Sequence, residues 1–254
     1  MQNEKWKMQH VKRVHILGVP IDPVTMDEAI DQVSRMLAGS LQHHVMTPNS
    51  EMLVEANRNP AFAVVLQKST LNLPDSAGLL WAARKQGTHI PERVSGVDFV
   101  ERLCAELHAD VPVFFLGGRN DAGKKAAEKL ATSNQQLHIA GTFEGTPREE
   151  NVVEIVSRVN ASAAKLLLVA YGSPQQDLWI ATYLSLMPAV RVAIGVGGTF
   201  DFLSGRITRA PRWMQHAGLE WLWRLCKEPR RWKRILRATV VFPYLVLRAK
   251  RTAR

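Results

Sequence analysis

Short apolar runs alternate with helix-like segments along most of the chain, and this alternation constrains the fold more than any other feature. The runs VFFL, LLLVA and VAIGV are apolar at every position, as expected of strands buried on both faces. The alternation begins with the β-rich run VHILGVPI, and the first helical segments are TMDEAIDQVSRML and SEMLVEANRNPAFAVVLQK. Strands and helices in this order predict βαβ units around a parallel sheet. We therefore expect residues 1–205 to form one α/β domain, a Rossmann-like parallel sheet flanked by helices.

Five loops follow predicted strands, and ligands of parallel sheets bind beyond these carboxyl ends. The loops are TPNSE, PDSAG, GGRNDAG, GSPQQD and GGTFD. Two of them carry paired glycines, Gly117 with Gly118 and Gly197 with Gly198, where bare backbone amides can approach a phosphate. Neither matches the G-x-G-x-x-G dinucleotide fingerprint or the P-loop. Each pair therefore fits a tight structural turn as well as it fits a ligand-binding loop.

Polar side chains in and near these loops each have a structural and a functional interpretation. Asp75 lies between a predicted strand and a helix, where it could cap the helix or act as a general base. Thr47 and Asn49 could cap the helix that follows them. Gln176 could simply open the helix PQQDLW, and Arg93 could be a solvated loop cation. Position alone leaves both interpretations open for every one of them.

The positive charge of the chain is concentrated at its C-terminal end. Residues 206–254 hold 14 Lys and Arg against two Glu, a net charge of +12, whereas residues 1–205 carry 19 basic and 21 acidic residues, a net charge of −2. Such an appendage favours phosphates on a lipid surface, a ligand or a nucleic acid. We predict a boundary near Gly205, with residues 206–254 as a basic helical appendage.

The segment from Arg230 to Pro243 has the spacing of a basic amphipathic helix. Uncharged positions recur at i, i+3, i+4 and i+7 and the cations fall on the other side: Trp232, Ile235, Leu236, Thr239, Val240 and Pro243 against Arg230, Lys233, Arg234 and Arg237. This pattern suits an interfacial helix with Trp at the lipid boundary and cations toward anionic headgroups. A surface helix packed on its own domain and a nucleic-acid arm are the alternatives.

Absent patterns argue against several kinds of site and location. The sequence has no H-E-x-x-H motif, no Cys/His cluster at zinc spacing and no D-x-D pair, so we predict neither a metal nor a cofactor. Cys104 and Cys226 imply no disulfide framework and fit a reducing cytoplasm. The N-terminus lacks a signal-peptide pattern, and the apolar segment 240–247 is interrupted by Pro243 and too short to span a bilayer.

Taken in order, the loops and the tail resemble the WecG/TagA/CpsF family of bacterial glycosyltransferases over nearly the whole chain. The matching pieces are TPN, LPDSAG, RVSGVD, FLGG, GSPQQD, GVGGTFDFLSGRITRAP, LEWLWRL and EPRRWKR. The chain departs from the family's usual LPD-G-x-G in one place, because Ser76 replaces the first glycine. Asp75 is left intact by this change.

The resemblance implies inverting transfer of an N-acetylmannosamine-type sugar from a UDP donor to polyprenyl-diphosphate-linked N-acetylglucosamine, without a metal, on the cytoplasmic side of the membrane. The products of the family include teichoic acid linkage units, enterobacterial common antigen and capsule-like polymers. The same resemblance makes Asp75 the general base, with Arg93 and Gln176 as further catalytic residues. The substrate-binding residues it implies are Thr47, Asn49, Gly117, Gly118, Gly172, Gly197, Gly198, Asp201, Arg224, Arg231 and Arg234.

Two rival functions follow from the residues themselves. A non-enzymatic phospholipid- or nucleic-acid-binding module would use the basic tail, and a nucleotide-linked oxidoreductase would use the Rossmann-like sheet. Against these, we expect the partners to be a UDP-sugar, the lipid-linked acceptor and an anionic membrane surface, without nucleic acid and with the oligomeric state open. The tail would then serve as membrane anchor and active-site wall together.

Overall fold

A parallel sheet forms the centre of the molecule. The structure, a computed structural model, describes residues 12–211, 213–214, 218–229 and 232–252. In these residues six parallel strands lie in the order β4-β3-β8-β7-β5-β6, and a separate antiparallel pair is formed by β1 and β2. The strands are β1 (Val14–Ile16), β2 (Val19–Ile21), β3 (His43–Met46), β4 (Leu71–Asn72), β5 (Val113–Gly117), β6 (Ile139–Phe143), β7 (Leu166–Ala170) and β8 (Val192–Gly195). The predicted α/β class with a parallel sheet is confirmed.

Helices cover both faces of this sheet. They are α1 (Met26–Ala38), α2 (Ser50–Ala56), α3 (Pro60–Lys68), α4 (Ala77–Lys85), α5 (Gly96–Glu106), α6 (Ala122–Ser133), α7 (Glu149–Ala161), α8 (Gln175–Tyr183), α9 (Thr199–Leu203), α10 (Glu220–Lys227), α11 (Trp232–Leu236) and α12 (Phe242–Thr252). A π-helical turn, Arg237–Val241, joins α11 to α12, and a short 3-10 turn, Leu184–Leu186, follows α8. Helix α11, the π-helical turn and α12 therefore form one continuous helical segment, which we call the C-terminal helix.

Strand β5 shows why the central strands are apolar at every position. Its residues Val113 and Phe115 pack in the core layer that contains α1, α5 and α6, whereas Phe114 and Leu116 pack in the layer that contains α7 and α8. Successive side chains of a strand point to opposite faces, so a strand covered on both sides needs an apolar residue at each position. The same arrangement holds for β7.

Two early elements differ from the sequence prediction. VHILGVPI is an antiparallel hairpin outside the main sheet, because the chain reverses at Leu17 and Gly18, whose φ angles are 50° and 80°. The prediction of a first βαβ strand there is wrong. SEMLVEANRNPAFAVVLQK forms two helices, since the Asn59 side chain caps a new helix at the amide of Phe62 and Pro60 occupies its first position.

The C-terminal helix contributes to the core of the protein. Phe242 is fully buried and Val246 is 2% exposed, and both pack in a cluster with the β1–β2 hairpin, α2, α3 and α4. The predicted boundary near Gly205 stays a prediction, but the appendage is packed on the body through these two residues. Across the described stretches of chain, none of the helices combines the length and the apolar character that crossing a bilayer requires.

Candidate active site

The loops after β3, β4, β5, β7 and β8 meet at one edge of the sheet. Parallel strands end on the same side, and backbone hydrogen bonds then tie neighbouring loops together. The amide of Asp75 donates to the carbonyl of Pro48 at 3.0 Å, and the amide of Gly118 donates to the carbonyl of Ala170 at 3.3 Å. The strand-end loops that the sequence singled out therefore lie in one region.

Asp75 is a partly buried carboxylate at this edge, and it does not cap α4, whose N-cap residue is Ser76. Burial raises the pKa of Asp75 to about 7, and this effect outweighs the opposing influence of the Arg93 guanidinium and the backbone amide of Gly96. The carboxylates of Glu220 and Asp98 raise this pKa further. A carboxyl group with such a pKa can accept a proton near neutral pH, as a general base must.

A chain of alternating charges runs beside Asp75. The Nη2 atom of Arg93 lies 3.5 Å from Oε2 of Glu220, and Nε of Arg209 lies 3.5 Å from Oε1 of the same carboxylate. Arg209 also forms a bidentate ion pair with Asp98, which lies in the first turn of α5. These ion pairs connect α5, α10 and the loop of Arg93, which lies beside Asp75, in the order Asp98, Arg209, Glu220 and Arg93.

Thr47 and Asn49 lie on the neighbouring loop, after β3. The side-chain oxygen of Asn49 accepts a hydrogen bond from the amide of Met52 at 3.1 Å, so Asn49 caps α2 as its structural interpretation required. Thr47 is buried against the start of α5, because a Cβ atom built on Gly96 would lie 3.2 Å from its hydroxyl oxygen. Both side chains border the loop of Asp75, and their contact with a substrate stays a prediction.

Gln176 ties two strand-end loops together. Its side-chain oxygen accepts hydrogen bonds from the amide of Gly172 at 3.0 Å and from the amide of Gly197 at 2.9 Å, and the residue is only 3% exposed. Its side-chain nitrogen donates no hydrogen bond to any residue that the structure describes. Gln176 therefore positions the loops after β7 and β8.

The paired glycines after β5 are required by close backbone contacts. Gly117 has a φ angle of 91°, and a Cβ atom on it would lie 2.9 Å from the carbonyl oxygen of Ala170. Gly118 has a φ angle of 83°, and its Cβ would lie 2.9 Å from the amide nitrogen of Gly123, in the first turn of α6. Side chains are excluded here, and the loop borders a cavity of about 190 Å³ that also reaches Lys124. Bare amides and Lys124 can donate hydrogen bonds to a ligand there, and the carboxylates of Asp121 and Glu144 also line the cavity.

The tail brings Arg224 to the glycines after β8. A Cβ atom on Gly198 would lie 2.9 Å from Nη2 of Arg224, and the guanidinium stacks on the ring of Phe202 at 4.7 Å. Asp201, in the same turn, lies 3.3 Å from the guanidinium of Arg206. Glycine at position 198 therefore makes room for the Arg224 side chain.

The other two predicted tail arginines are placed differently. Nε of Arg234 lies 2.8 Å from both carboxylate oxygens of Glu51, in the first turn of α2, so Arg234 fastens the C-terminal helix to α2. Arg231 lies outside the described residues. The predicted contact of these arginines with a diphosphate stays a prediction.

Glu220, Arg209 and Asp98 were not singled out by the sequence, although each lies in a matching piece, LEWLWRL, GRITRAP or RVSGVD. Arg209 is 11 residues from Glu220 and 111 residues from Asp98 along the chain, so no local spacing could reveal that the three form one network. Wherever side chains are described, His, Cys, Asp and Glu form no group of three suited to hold a metal ion.

Comparison with known proteins identifies the family. Residues 14–254 match the family described as "Glycosyl transferase WecG/TagA/CpsF family". The chain belongs to this family, and it is a glycosyltransferase. It is similar to two proteins named N-acetylglucosaminyldiphosphoundecaprenol N-acetyl-beta-D-mannosaminyltransferase. The one from Bacillus subtilis strain 168 is 33% identical over 194 residues, 76% of this chain and 74% of that protein. The one from Bacillus spizizenii strain W23 is 32% identical over 193 residues, with the same coverage of each chain.

Proposed function

We propose that this glycosyltransferase moves an N-acetylmannosamine-type sugar from a UDP donor to N-acetylglucosamine carried on a polyprenyl diphosphate. The two Bacillus relatives are, by name, mannosaminyltransferases that act on N-acetylglucosaminyldiphosphoundecaprenol. The reaction takes place at the inner face of the cell membrane and supplies a bacterial cell-surface polymer.

Asp75 is the observation that carries this proposal. It lies at the carboxyl edge of the sheet, between the loop of Thr47 and the loop of Arg93, and its pKa is raised to about 7. An ordinary surface carboxylate would hold a proton too weakly to assist a hydroxyl group at neutral pH. The arrangement therefore favours a reaction that begins with the removal of a proton from an acceptor hydroxyl.

The chemical step is a direct displacement at the anomeric carbon of the donor sugar. The acceptor oxygen forms a bond to this carbon while Asp75 takes the hydroxyl proton. The bond from the carbon to the β-phosphate oxygen breaks, and its electron pair leaves with UDP. Attack opposite the leaving group inverts the anomeric configuration, so an α-linked donor gives a β-linked product, the configuration in the relatives' names.

The negative charge that develops on UDP is stabilised by amides and cations of the protein. The glycine loops after β5 and β8 offer bare backbone, and Arg224 lies directly against Gly198. Hydrogen bonds from charged donors to phosphate are about twice as strong as neutral ones. Gln176 holds the loop of Gly197 in place.

The exposed face of the C-terminal helix supports docking on the membrane. Five large apolar or aromatic side chains recur every three or four residues along it and range from 45% exposed at Leu236 to 60% at Tyr244: Trp232, Leu236, Val240, Tyr244 and Leu247. We call this set the exposed stripe. Lys233, Arg234 and Arg237 flank it, and the two arginines form ion pairs with Glu51 and Glu55 of α2. An apolar stripe with adjacent cations is the pattern of a helix that lies in the headgroup region of an anionic bilayer.

A donor screen tests the proposal. The purified chain is incubated with a panel of UDP-sugars and a short-chain polyprenyl-diphosphate N-acetylglucosamine, and mass spectrometry detects the disaccharide product and UDP. We expect the N-acetylmannosamine donor to give product and Asp75→Asn to lose transfer by about 10²-fold or more while it stays folded. No product with any donor, or unchanged turnover in Asp75→Asn, contradicts the proposal.

A further inference from the structure

Glu220, the first residue of α10, lies between two arginines. One carboxylate oxygen is 3.5 Å from Arg93 and the other is 3.5 Å from Arg209, and the side chain is about one quarter exposed. A single carboxylate therefore compensates part of the charge of two guanidinium groups at the rim of the site. The family resemblance assigned no role to this residue.

The position of Glu220 depends on how the tail is docked. The indole nitrogen of Trp223, one turn further along α10, donates to the carbonyl of Thr208 at 2.9 Å. Arg209, the next residue, is held from the other side by Asp98 of α5. Helix α10 thus rests on residues 208–209, and this contact places Glu220 opposite Arg93.

Arg93 has two carboxylates within its electrostatic reach, and its ion pair is with Glu220. Its influence on Asp75 is a longer-range attraction, and Asp98 is already engaged by Arg209. If Glu220 lost its charge, Asp75 would be the remaining carboxylate facing Arg93. In the unsubstituted protein the charged groups that act on Asp75 are Arg93, Glu220 and Asp98, and the backbone amide of Gly96 is its hydrogen-bond donor.

We infer that Glu220 is a positioning residue for sugar transfer, which holds Arg93 away from Asp75 and so leaves that carboxylate free to take the acceptor proton. Glu220 is the first residue of α10, so the packing of α10 on residues 208–209 sets the position of the carboxylate that pairs with Arg93. The inference deepens the proposed function and rests on it for the role of Asp75.

The titration of Asp75 tests the inference without any substrate. In ¹³C-labelled protein the carboxyl signal of Asp75 is assigned by its absence from Asp75→Asn and followed against pH. Glu220→Gln removes one repulsive charge and releases Arg93, so the Asp75 titration should move to lower pH by about one unit. Glu220→Asp keeps the charge and should move it less.

Glu154→Gln is the matched control, since Glu154 forms an exposed ion pair with Arg158 on α7. It should leave the Asp75 titration unchanged, and amide spectra show that each variant is folded. An Asp75 titration that is identical in Glu220→Gln and the unsubstituted protein, or that moves equally in Glu154→Gln, overturns the inference.

Kinetics give a second measure of the same effect. The acidic limb of kcat/KM against pH should move down in Glu220→Gln by the same amount as the Asp75 signal, whereas loss of fold alone lowers the rate without moving the limb. A folded protein that transfers no sugar contradicts the proposed function but leaves the ¹³C titration readable. The two failures are therefore distinguishable.

Discussion

The hydroxyl oxygens of Ser50 and Ser76 lie 3.0 Å apart, and they join the loop after β3 to the loop that carries Asp75. The Ser76 oxygen also accepts a hydrogen bond from the amide of Ser50 at 3.2 Å. Gly78 makes room for this pair, because a Cβ atom there would lie 2.2 Å from the Ser50 hydroxyl. The residue that departs from the family's usual glycine therefore links two loops of the site.

Ser76→Gly should cost stability and spare the reaction. The change removes two hydrogen bonds from a partly buried site, so we expect the free energy of unfolding to fall by about 1–2 kcal/mol. Urea denaturation measures the loss, and the donor screen measures transfer. A folded Ser76→Gly protein that loses most of its transfer would show that the hydroxyl contacts the substrate.

Asp75→Asn should stabilise the protein at alkaline pH. The pKa of Asp75 in the folded protein, about 7, lies above its ordinary value of 3.8, so the folded state holds a proton that the unfolded state releases. The stability from this proton is complete below the unfolded pKa and is lost as the pH rises through about 7. The asparagine variant carries no such penalty.

The gain depends on pH in a way that thermal or urea unfolding can measure. The gain in the free energy of unfolding should be close to zero near pH 4 and on the order of 2 kcal/mol near pH 8. This is about half of what the whole shift in the pKa of Asp75 would give, because Asp75 is only partly buried and water screens its charge. A gain that does not change with pH would show that Asp75 is not buried as its environment indicates.

Gln176→Ala should loosen two loops at once. It leaves the amides of Gly172 and Gly197 without their acceptor, so we expect a loss of about 2–4 kcal/mol in the free energy of unfolding and weaker binding of UDP by calorimetry. Gln175→Ala is the control, since Gln175 is the exposed neighbour on the same helix. Equal stability of the two variants would contradict the role of Gln176 in holding the loops.

Serine at Trp232, Leu236 and Val240 together should release the protein from membranes. These three side chains belong to the exposed stripe, and the change should lower sedimentation with phosphatidylglycerol vesicles by about tenfold or more. Leu41→Ser and Val153→Ser are the controls, because these residues are 70% and 80% exposed and lie in the loop before β3 and in α7. Unchanged vesicle binding, or tight duplex-DNA binding without lipid binding, would favour the other interpretations of the tail.

The fold was predictable wherever burial controls the sequence. Strands such as LLLVA must be apolar at each position because both faces are covered, and the loops after them were found at one edge as expected. The first hairpin was missed because VHILGVPI has the composition of a strand, and its reversal depends on the backbone angles at Leu17 and Gly18. Composition does not report these angles.

The site was predictable one residue at a time but not as a set of contacts. Asp75, Gln176 and the paired glycines were visible because they follow strands. The sequence could not show that Asn49 caps α2 while Gln176 bridges two loops, since both residues open helices. It could not show the pairing of Glu220 with Arg93 either, because these residues are 127 positions apart.

Phe242 and Tyr244 are two residues apart on one helix, and they face in opposite directions, into the core and into the solvent. A membrane-bound molecule could not tilt this helix without tilting the sheet, so the height and orientation of the catalytic edge above the bilayer would be fixed by the fold. The proposed lipid-linked acceptor would be confined to the same plane. Enzyme and acceptor would then diffuse in two dimensions, and the enzyme would rotate only about the membrane normal. Much of the translational and rotational entropy that they lose on forming a complex would already be lost when each binds to the membrane.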